Sequence, residues 1–379
     1  MTDNKFNPVL VTISVVLFIL TVAVFVWITI QKNSTLSDNL VNDSVKTDTV
    51  SKQEVLTKEF MASFNSNEEL KGSVLITSAY SDSAPEVLAG DAVADKWDDY
   101  MYDVARDIVS LSDSSGDRYF VSQGTDDSFM YTGLPAVIEN YGAYNSPLIL
   151  EDAGEERQLE ITDQLYLARL PRLSNDTNYY TYSSQQITDT SNIPDFQDID
   201  TWHVSVGSTI DGQSEVYVIE NAYNSQWAGN YVVYVKKDGL YARPVASVSD
   251  EKSEFLLLEA KDGEFSLRNH TGISNDGKYL AVSYPIPASY GESTVGIYKI
   301  GFTTDSTELI HTITLDSVDA FWPLFSPEGR YLSMQIRPKS LNDEENEIRI
   351  YDFTESDFVQ SFDFSDYNFD TSFNTDWIN

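Results

Sequence analysis

A ten-residue pattern occurs twice in this chain. Ile273-Ser274-Asn275-Asp276-Gly277-Lys278-Tyr279-Leu280-Ala281-Val282 returns as Phe325-Ser326-Pro327-Glu328-Gly329-Arg330-Tyr331-Leu332-Ser333-Met334. Each copy reads as the end of one strand, a tight turn whose glycine can take positive φ, and a second, alternating strand, which is the chemistry of a β-hairpin. Weaker copies lie upstream at 227–234, 173–180, 112–120 and 71–76. With the turn position as marker, the series runs Gly72, Gly116, Thr177, Gly229, Gly277 and Gly329, at intervals of 44, 61, 52, 48 and 52 residues. Periods near 50 belong to β-propellers, whose repeat is a four-stranded blade that cannot bury its faces alone. Six turns therefore predict an all-β fold, a six-bladed β-propeller over residues 70–379, with third strands at 295–300 and 347–352.

The ends of this region are complementary. Alignment of Trp377 with Phe325 and Trp227 makes 371–379 a first strand with no hairpin partner after it, and 72–80 reads as a second strand with no first strand before it. The ring is predicted to close by pairing the two, which removes the sheet edges an open ring would expose.

The Ser-Asn-Asp-Gly-Lys-Tyr-Leu-Ala run at 274–281 and the Ser-Pro-Glu-Gly-Arg-Tyr-Leu-Ser run at 326–333 resemble the repeat of TolB-type, WD40-like β-propellers, Ser-Pro-Asp-Gly-Lys followed by a strand. The resemblance implies six blades, an exported protein and a platform that binds other proteins. Its motif is structural and implies no catalytic residue.

Ahead of the repeats, residues 8–30 form an uncharged apolar run interrupted only by Thr12, Ser14, Thr21 and Thr29. As a helix it would reach about 35 Å, the span of a bilayer. It is longer than a signal-peptide core and ends in Trp27-Ile28-Thr29-Ile30 without a small-residue cleavage site, so an uncleaved anchor is expected. Lysines flank both sides and do not decide orientation. The seven-residue tail 1–7 and the Tyr-, Ser-, Thr- and Asn-rich domain without cysteine point to a single-pass cell-membrane protein whose C-terminal domain is extracytoplasmic. Residues 31–49 are too polar to fold alone. A capping box at Ser51-Lys52-Gln53-Glu54, with Leu56, Phe60 and Phe64 at spacing four, then predicts a short amphipathic helix over 52–65 within the linker region 31–69.

Charge and residue types narrow the chemistry. Lys and Arg number 24 against 60 Asp and Glu, a net charge of −36, which is the wrong sign for nucleic acid. Cysteine is absent, so thiolate metal sites and thiol nucleophiles are excluded, and His203, His270 and His311 are too dispersed for a local metal motif. Gly272-Ile273-Ser274-Asn275-Asp276-Gly277 has one residue too many for a nucleophile elbow, and Ser249-Asp250-Glu251-Lys252 lacks the companion elements of a serine–lysine enzyme. Acidic groups such as Asp98 with Asp99, or Asp195, Asp198 and Asp200, match no calcium-loop pattern. No catalytic residue, metal ligand or cofactor is assigned.

The function expected on this basis is a membrane-tethered module that binds a protein or peptide, as a subunit of an envelope assembly. A propeller hydrolase acting on glycan or peptide, and a structural surface protein, are the alternatives. The binding face is expected where the loops after the second strands of blades one and two emerge, because insertions in repeat proteins collect on the side that is used. The interval of 61 falls there, and it contains Phe129, Tyr131, Tyr141 and Tyr144. Tyrosine offers large contact area and a hydroxyl at small entropic cost.

Overall fold

A computed structural model of the chain describes residues 52–64, 69–80, 96–103, 108–111, 118–123, 128–133, 136–137, 144–145, 148–159, 166–186, 198–210, 216–260, 265, 270–284, 293–303, 306–316, 318–338, 347–363 and 371–378. The apolar run 8–30 and the polar stretch 31–49 lie outside these residues. Among the described residues no helix is long and apolar enough to cross a membrane.

The unit Lys52–Asn379 is built from six four-stranded antiparallel sheets. Blade 1 holds β1 (Ser73–Tyr80), β2 (Lys96–Asp103) and β3 (Ile108–Leu111). Blade 2 holds β4 (Arg118–Gln123), β5 (Phe129–Gly133), β8 (Leu148–Asp152) and β9 (Glu155–Gln158), with a ribbon of β6 (Ala136–Val137) and β7 (Tyr144–Asn145) between its second and third strands. Blade 3 is β10 (Tyr166–Leu173), β11 (Tyr179–Gln186), β12 (His203–Ser208) and β13 (Tyr217–Glu220). Blade 4 is β14 (Tyr223–Ala228), β15 (Tyr231–Lys236), β16 (Gly239–Pro244) and β17 (Phe255–Glu259). Blade 5 is β18 (Thr271–Ile273), β19 (Tyr279–Tyr284), β20 (Ser293–Lys299) and β21 (Glu308–Leu315). Blade 6 is β22 (Val318–Phe325), β23 (Tyr331–Pro338), β24 (Glu347–Asp352) and β25 (Asp357–Asp363). The last strand, β26 (Thr371–Ile378), pairs with β1 and supplies the missing first strand of blade 1. The first strands touch in the cyclic order β26, β4, β10, β14, β18, β22 and back to β26, which is the ring of a propeller.

Neighbouring blades cover both faces of the inner strands. The central four residues of β15 and of β19 are therefore all buried, whereas the outermost strand β25 alternates exposed and half-buried positions. Between blades 5 and 6 the contact is made by Ala281, Val295 and Ile297 against Leu332, Met334 and Ile336.

The repeated turn has one hydrogen-bond scheme. Ser174 Oγ donates to Asp176 at 2.7 Å and accepts the Tyr179 N–H at 3.0 Å, and Ser274 does the same with Asp276 at 2.8 Å and Tyr279 at 2.9 Å. In the third copy Ser326 Oγ accepts the Tyr331 N–H at 3.1 Å. The marker residues take the left-handed conformation the turn needs, with φ of 56° at Thr177, 69° at Gly277 and 83° at Gly329.

One marker was misplaced. Gly116 lies in the connection between β3 and β4, not in a hairpin, and the hairpin of blade 2 is β4–β5. A polar, glycine-containing turn followed by a strand looks the same whether it joins two strands of a blade or two blades; only the pairing partner tells them apart. The second strands begin at Ser73, Phe129, Tyr179, Tyr231, Tyr279 and Tyr331, intervals of 56, 50, 52, 48 and 52, so the apparent long repeat between blades 2 and 3 disappears.

The helix before the ring is α1 (Lys52–Ala62), followed by a turn through Phe64. It packs on the propeller: Phe60 is 2% exposed, with ring centroids 4.6 Å from Tyr279 and 4.9 Å from Phe353, and Phe64 stacks on Phe353 at 5.9 Å. Thr57 donates to the Ile310 carbonyl, and Lys52 pairs with Glu308.

Candidate functional site

The two ends of the ring differ. At the end carrying the hairpin turns, the turns of blades 3 and 5 meet over the shorter turn of blade 4. Asn175 Nδ2 donates to the Asn275 carbonyl at 2.7 Å, and a Cβ on Gly277 would lie 2.9 Å from the Gly229 nitrogen. On the same end, Phe64 adjoins the turns of blades 5 and 6, and Lys71 pairs with Glu328 at 2.8 Å. On this face the turns of blades 3 to 6 are thus engaged in contacts of the protein with itself.

The opposite, loop face carries the connections from second to third strands. In blades 1, 2 and 3 these are residues 81–95, 134–147 and 187–202, lengths of 15, 14 and 16 residues. In blades 4, 5 and 6 they are 237–238, 285–292 and 339–346, lengths of 2, 8 and 8. The long segments expected on blades 1 and 2 have a third companion on blade 3.

At the centre of the ring, four first strands carry the same irregularity. The register against the second strand shifts at 119–122, 169–172, 223–226 and 321–324, two residues standing opposite one. Such bulges bend a strand and re-aim its side chains. The first residue of the bulge is left-handed in three of them, with φ of 51° at Leu170, 50° at Asn224 and 50° at Trp322. Asparagine tolerates this region, while leucine and tryptophan are strained there.

The bulges gather an aromatic and basic cluster. Arg169 and Arg172 flank the bulge of blade 3, and Arg172 is only 7% exposed. Tyr223, the first residue of β14, is buried within electrostatic reach of Arg169 and Arg172. Burial raises the Tyr223 pKa above the usual phenol range, although both arginines oppose the shift. Trp202 lies under Arg169 at 5.6 Å and edge-on to Tyr223 at 5.0 Å. On blades 5 and 6, the His270 ring stacks on Trp322 at 3.7 Å, and Arg337 lies over Phe321 at 5.2 Å. Burial, with Arg337 adding to it, pushes the His270 pKa down to about 3, so the imidazole is neutral at physiological pH. Gly272 is needed at its position because a Cβ would meet the Pro323 carbonyl oxygen at 1.9 Å.

The four aromatic residues singled out from the sequence separate. Tyr131 sits in β5 opposite the blade 2 bulge, 2% exposed, and donates to Glu156 at 2.7 Å. Tyr182, Tyr234 and Met334 hold the equivalent place in blades 3, 4 and 6 and are also buried, and Tyr234 likewise donates to a glutamate, Glu254. This is a repeated packing position. Phe129 is half-buried and packs with Tyr131 and Ile149. Tyr144 is placed in β7, within the loop-face segment of blade 2, and Tyr141 lies outside the described residues. Sequence reasoning missed Arg169 and Arg172. Their signal is Leu167-Ala168-Arg169-Leu170-Pro171-Arg172-Leu173, two cations in an apolar strand of a chain poor in cations.

The histidines lie on β12, before β18 and on β21, and among the described residues no three acidic or histidine side chains gather as a metal site.

The blade number, the closing strand and the repeated turn define a six-bladed β-propeller with a TolB-like fold. Among solved structures, TolB from Acinetobacter baumannii aligns over 81% of this chain and 66% of its own length, with 15% identity and a TM-score of 0.52. The chain thus spans just under two thirds of that TolB, and at this identity the match establishes the fold alone. A putative TolB from Agrobacterium tumefaciens aligns over 78% of this chain and 91% of its own, with 10% identity and a TM-score of 0.44. A periplasmic gluconolactonase from Pseudomonas aeruginosa aligns over 76% and 82%, with 13% identity and a TM-score of 0.46. No family model and no curated protein matches the sequence.

Proposed function

We propose that this chain is a membrane-tethered propeller, anchored by residues 8–30 with its ring outside the cytoplasm, that binds a protein or peptide on its loop face as a subunit of an envelope assembly. The observation that carries the reading is the asymmetry of the ring. One face is taken up by α1 and by contacts between turns, while the other bears three long segments around an aromatic and arginine-lined centre. Long insertions in repeat proteins collect on the working face. Tyr141 and Tyr144, in the blade 2 segment, supply contact area there; Tyr131 and Phe129 support the sheet beneath. The TolB-type fold agrees with a platform that binds other proteins, and the charge of −36 argues against nucleic acid.

The test is capture of partners from solubilised membranes with the full chain and with a Tyr141→Ala/Tyr144→Ala variant, leaving Tyr131 in place. A protein that co-purifies with the full chain and drops at least tenfold with the variant, at unchanged melting temperature, supports the reading. Equal recovery overturns the assigned face.

A further inference from the structure

We infer that Arg169, Arg172 and Tyr223, at the centre of the ring on blades 3 and 4, form a carboxylate site that takes the free C-terminus of a peptide. The inference deepens the peptide-binding reading above and rests on it.

The argument starts from how this protein treats its buried arginines. Arg243, 6% exposed, meets Glu254 at 2.9 Å, and Arg330, 6% exposed, meets Asp352 at 2.6 Å. Arg172 is buried to the same degree, but among the described residues it donates only to the neighbouring Pro171 carbonyl, at 3.1 Å, and no carboxylate lies within ion-pair distance of it. Burial lowers its pKa, and the more distant Asp376 only partly offsets this. A buried guanidinium without a contacting anion is costly. With 60 acidic residues in the chain, pairing it internally would have been simple. No described side chain meets that need, and the inferred site meets it with an anion from outside.

Arg169 brings a second guanidinium across the Leu170–Pro171 bulge, and its buried Nε has no acceptor. Two planar guanidiniums suit the paired oxygens of a carboxylate. Asp376 nearby favours a singly charged ligand over a phosphate dianion. Tyr223, 6% exposed, sets an aromatic ring beside the guanidiniums, and the fully buried Trp202 backs it.

The probes are N-acetyl-Ala-Ala-Tyr as the free acid, the same peptide as its C-terminal amide, and N-acetyl-Ala-Asp-Ala-amide as a side-chain carboxylate. Each is titrated into the full chain in detergent, with calorimetry and the arginine Nε–Hε signals as readouts. The free acid should bind at least tenfold more tightly than the amide and shift two arginine signals. Arg172→Met should abolish that preference while leaving the melting temperature unchanged or higher, because it removes an uncompensated charge. Equal binding of acid and amide, no saturable binding of either, equal binding of the side-chain acid, or a fall in melting temperature with Arg172→Met overturns the proposal. Unchanged partner capture by Arg172→Met also overturns it while leaving the binding-module reading intact. Loss of all capture by the full chain sinks that reading instead.

Discussion

Trp377, two residues from the end of the chain, stands directly opposite Val74 in the sheet of blade 1, and its indole donates to the Lys71 carbonyl at 3.3 Å. Residues 303 apart in sequence thus close the ring. Both are buried, in a cluster shared with Ile348 and Ile350 of blade 6. Deletion of residues 371–379 removes a whole first strand and its contacts with blades 2 and 6. The truncated domain is expected to lose cooperative thermal unfolding, and Trp377→Ala alone to cost about 3–5 kcal/mol in urea denaturation. A truncated chain with the parent melting temperature would refute this closure.

The buried pair of Arg330 and Asp352 ties the blade 6 turn to the end of its third strand. The guanidinium binds both carboxylate oxygens, at 3.1 and 2.6 Å, and Asp352 also accepts from the Thr354 N–H and hydroxyl at 2.8 and 2.7 Å. Arg330→Met leaves the carboxylate buried and short of its main partner, at a cost of about 3–5 kcal/mol. The contrast with Arg172→Met, expected to cost nothing, is measured in the same denaturation series.

Phe60 makes α1 part of the propeller rather than a free linker. Phe60→Ala is expected to cost about 3–5 kcal/mol, since its ring is enclosed by Phe64, Tyr279 and Phe353. A chain beginning at residue 70 should melt well below one beginning at residue 50; equal melting would show that the helix adds nothing to the fold.

His270 sets a pH dependence. In the unfolded chain a histidine binds its proton near pH 6.5, whereas the folded site, walled by Trp322, Phe321 and Arg337, holds it off until about pH 3. Between those values the unfolded state carries more protons, so this contribution to stability is complete above pH 6.5 and is lost as pH falls, at about 1.4 kcal/mol per unit. From pH 7 to pH 5 the wild type should lose roughly 2 kcal/mol more than His270→Gln, read from urea midpoints at the two pH values.

The proposed topology predicts that protease added to intact cells or spheroplasts digests the domain. Protection until the membrane is breached would place the ring in the cytoplasm.

The sequence by itself determined the blade. Hydrogen bonds of the Ser-x-Asp-Gly-x-Tyr turn span six residues, and a glycine or threonine at positive φ is a local need, so the hairpins at 173–180, 227–234, 273–282 and 325–334 were legible one window at a time. So was the closing strand, because Trp377 repeats the place of Phe325. Only the tertiary structure decided which strand a turn belongs to, as with Gly116, since pairing partners lie outside any local window. It also separated Tyr131 from the surface: its burial, like that of Met130 and Thr132, follows from neighbouring blades covering both faces of the second strand, and strand alternation carries no trace of a neighbouring blade. The cluster around Arg172 is the extreme case. Its members come from residues 169 to 376 and share a place only because six sheets close into a ring, so the lack, among the described residues, of a carboxylate within ion-pair distance of Arg172 is a property of the fold and of no segment within it.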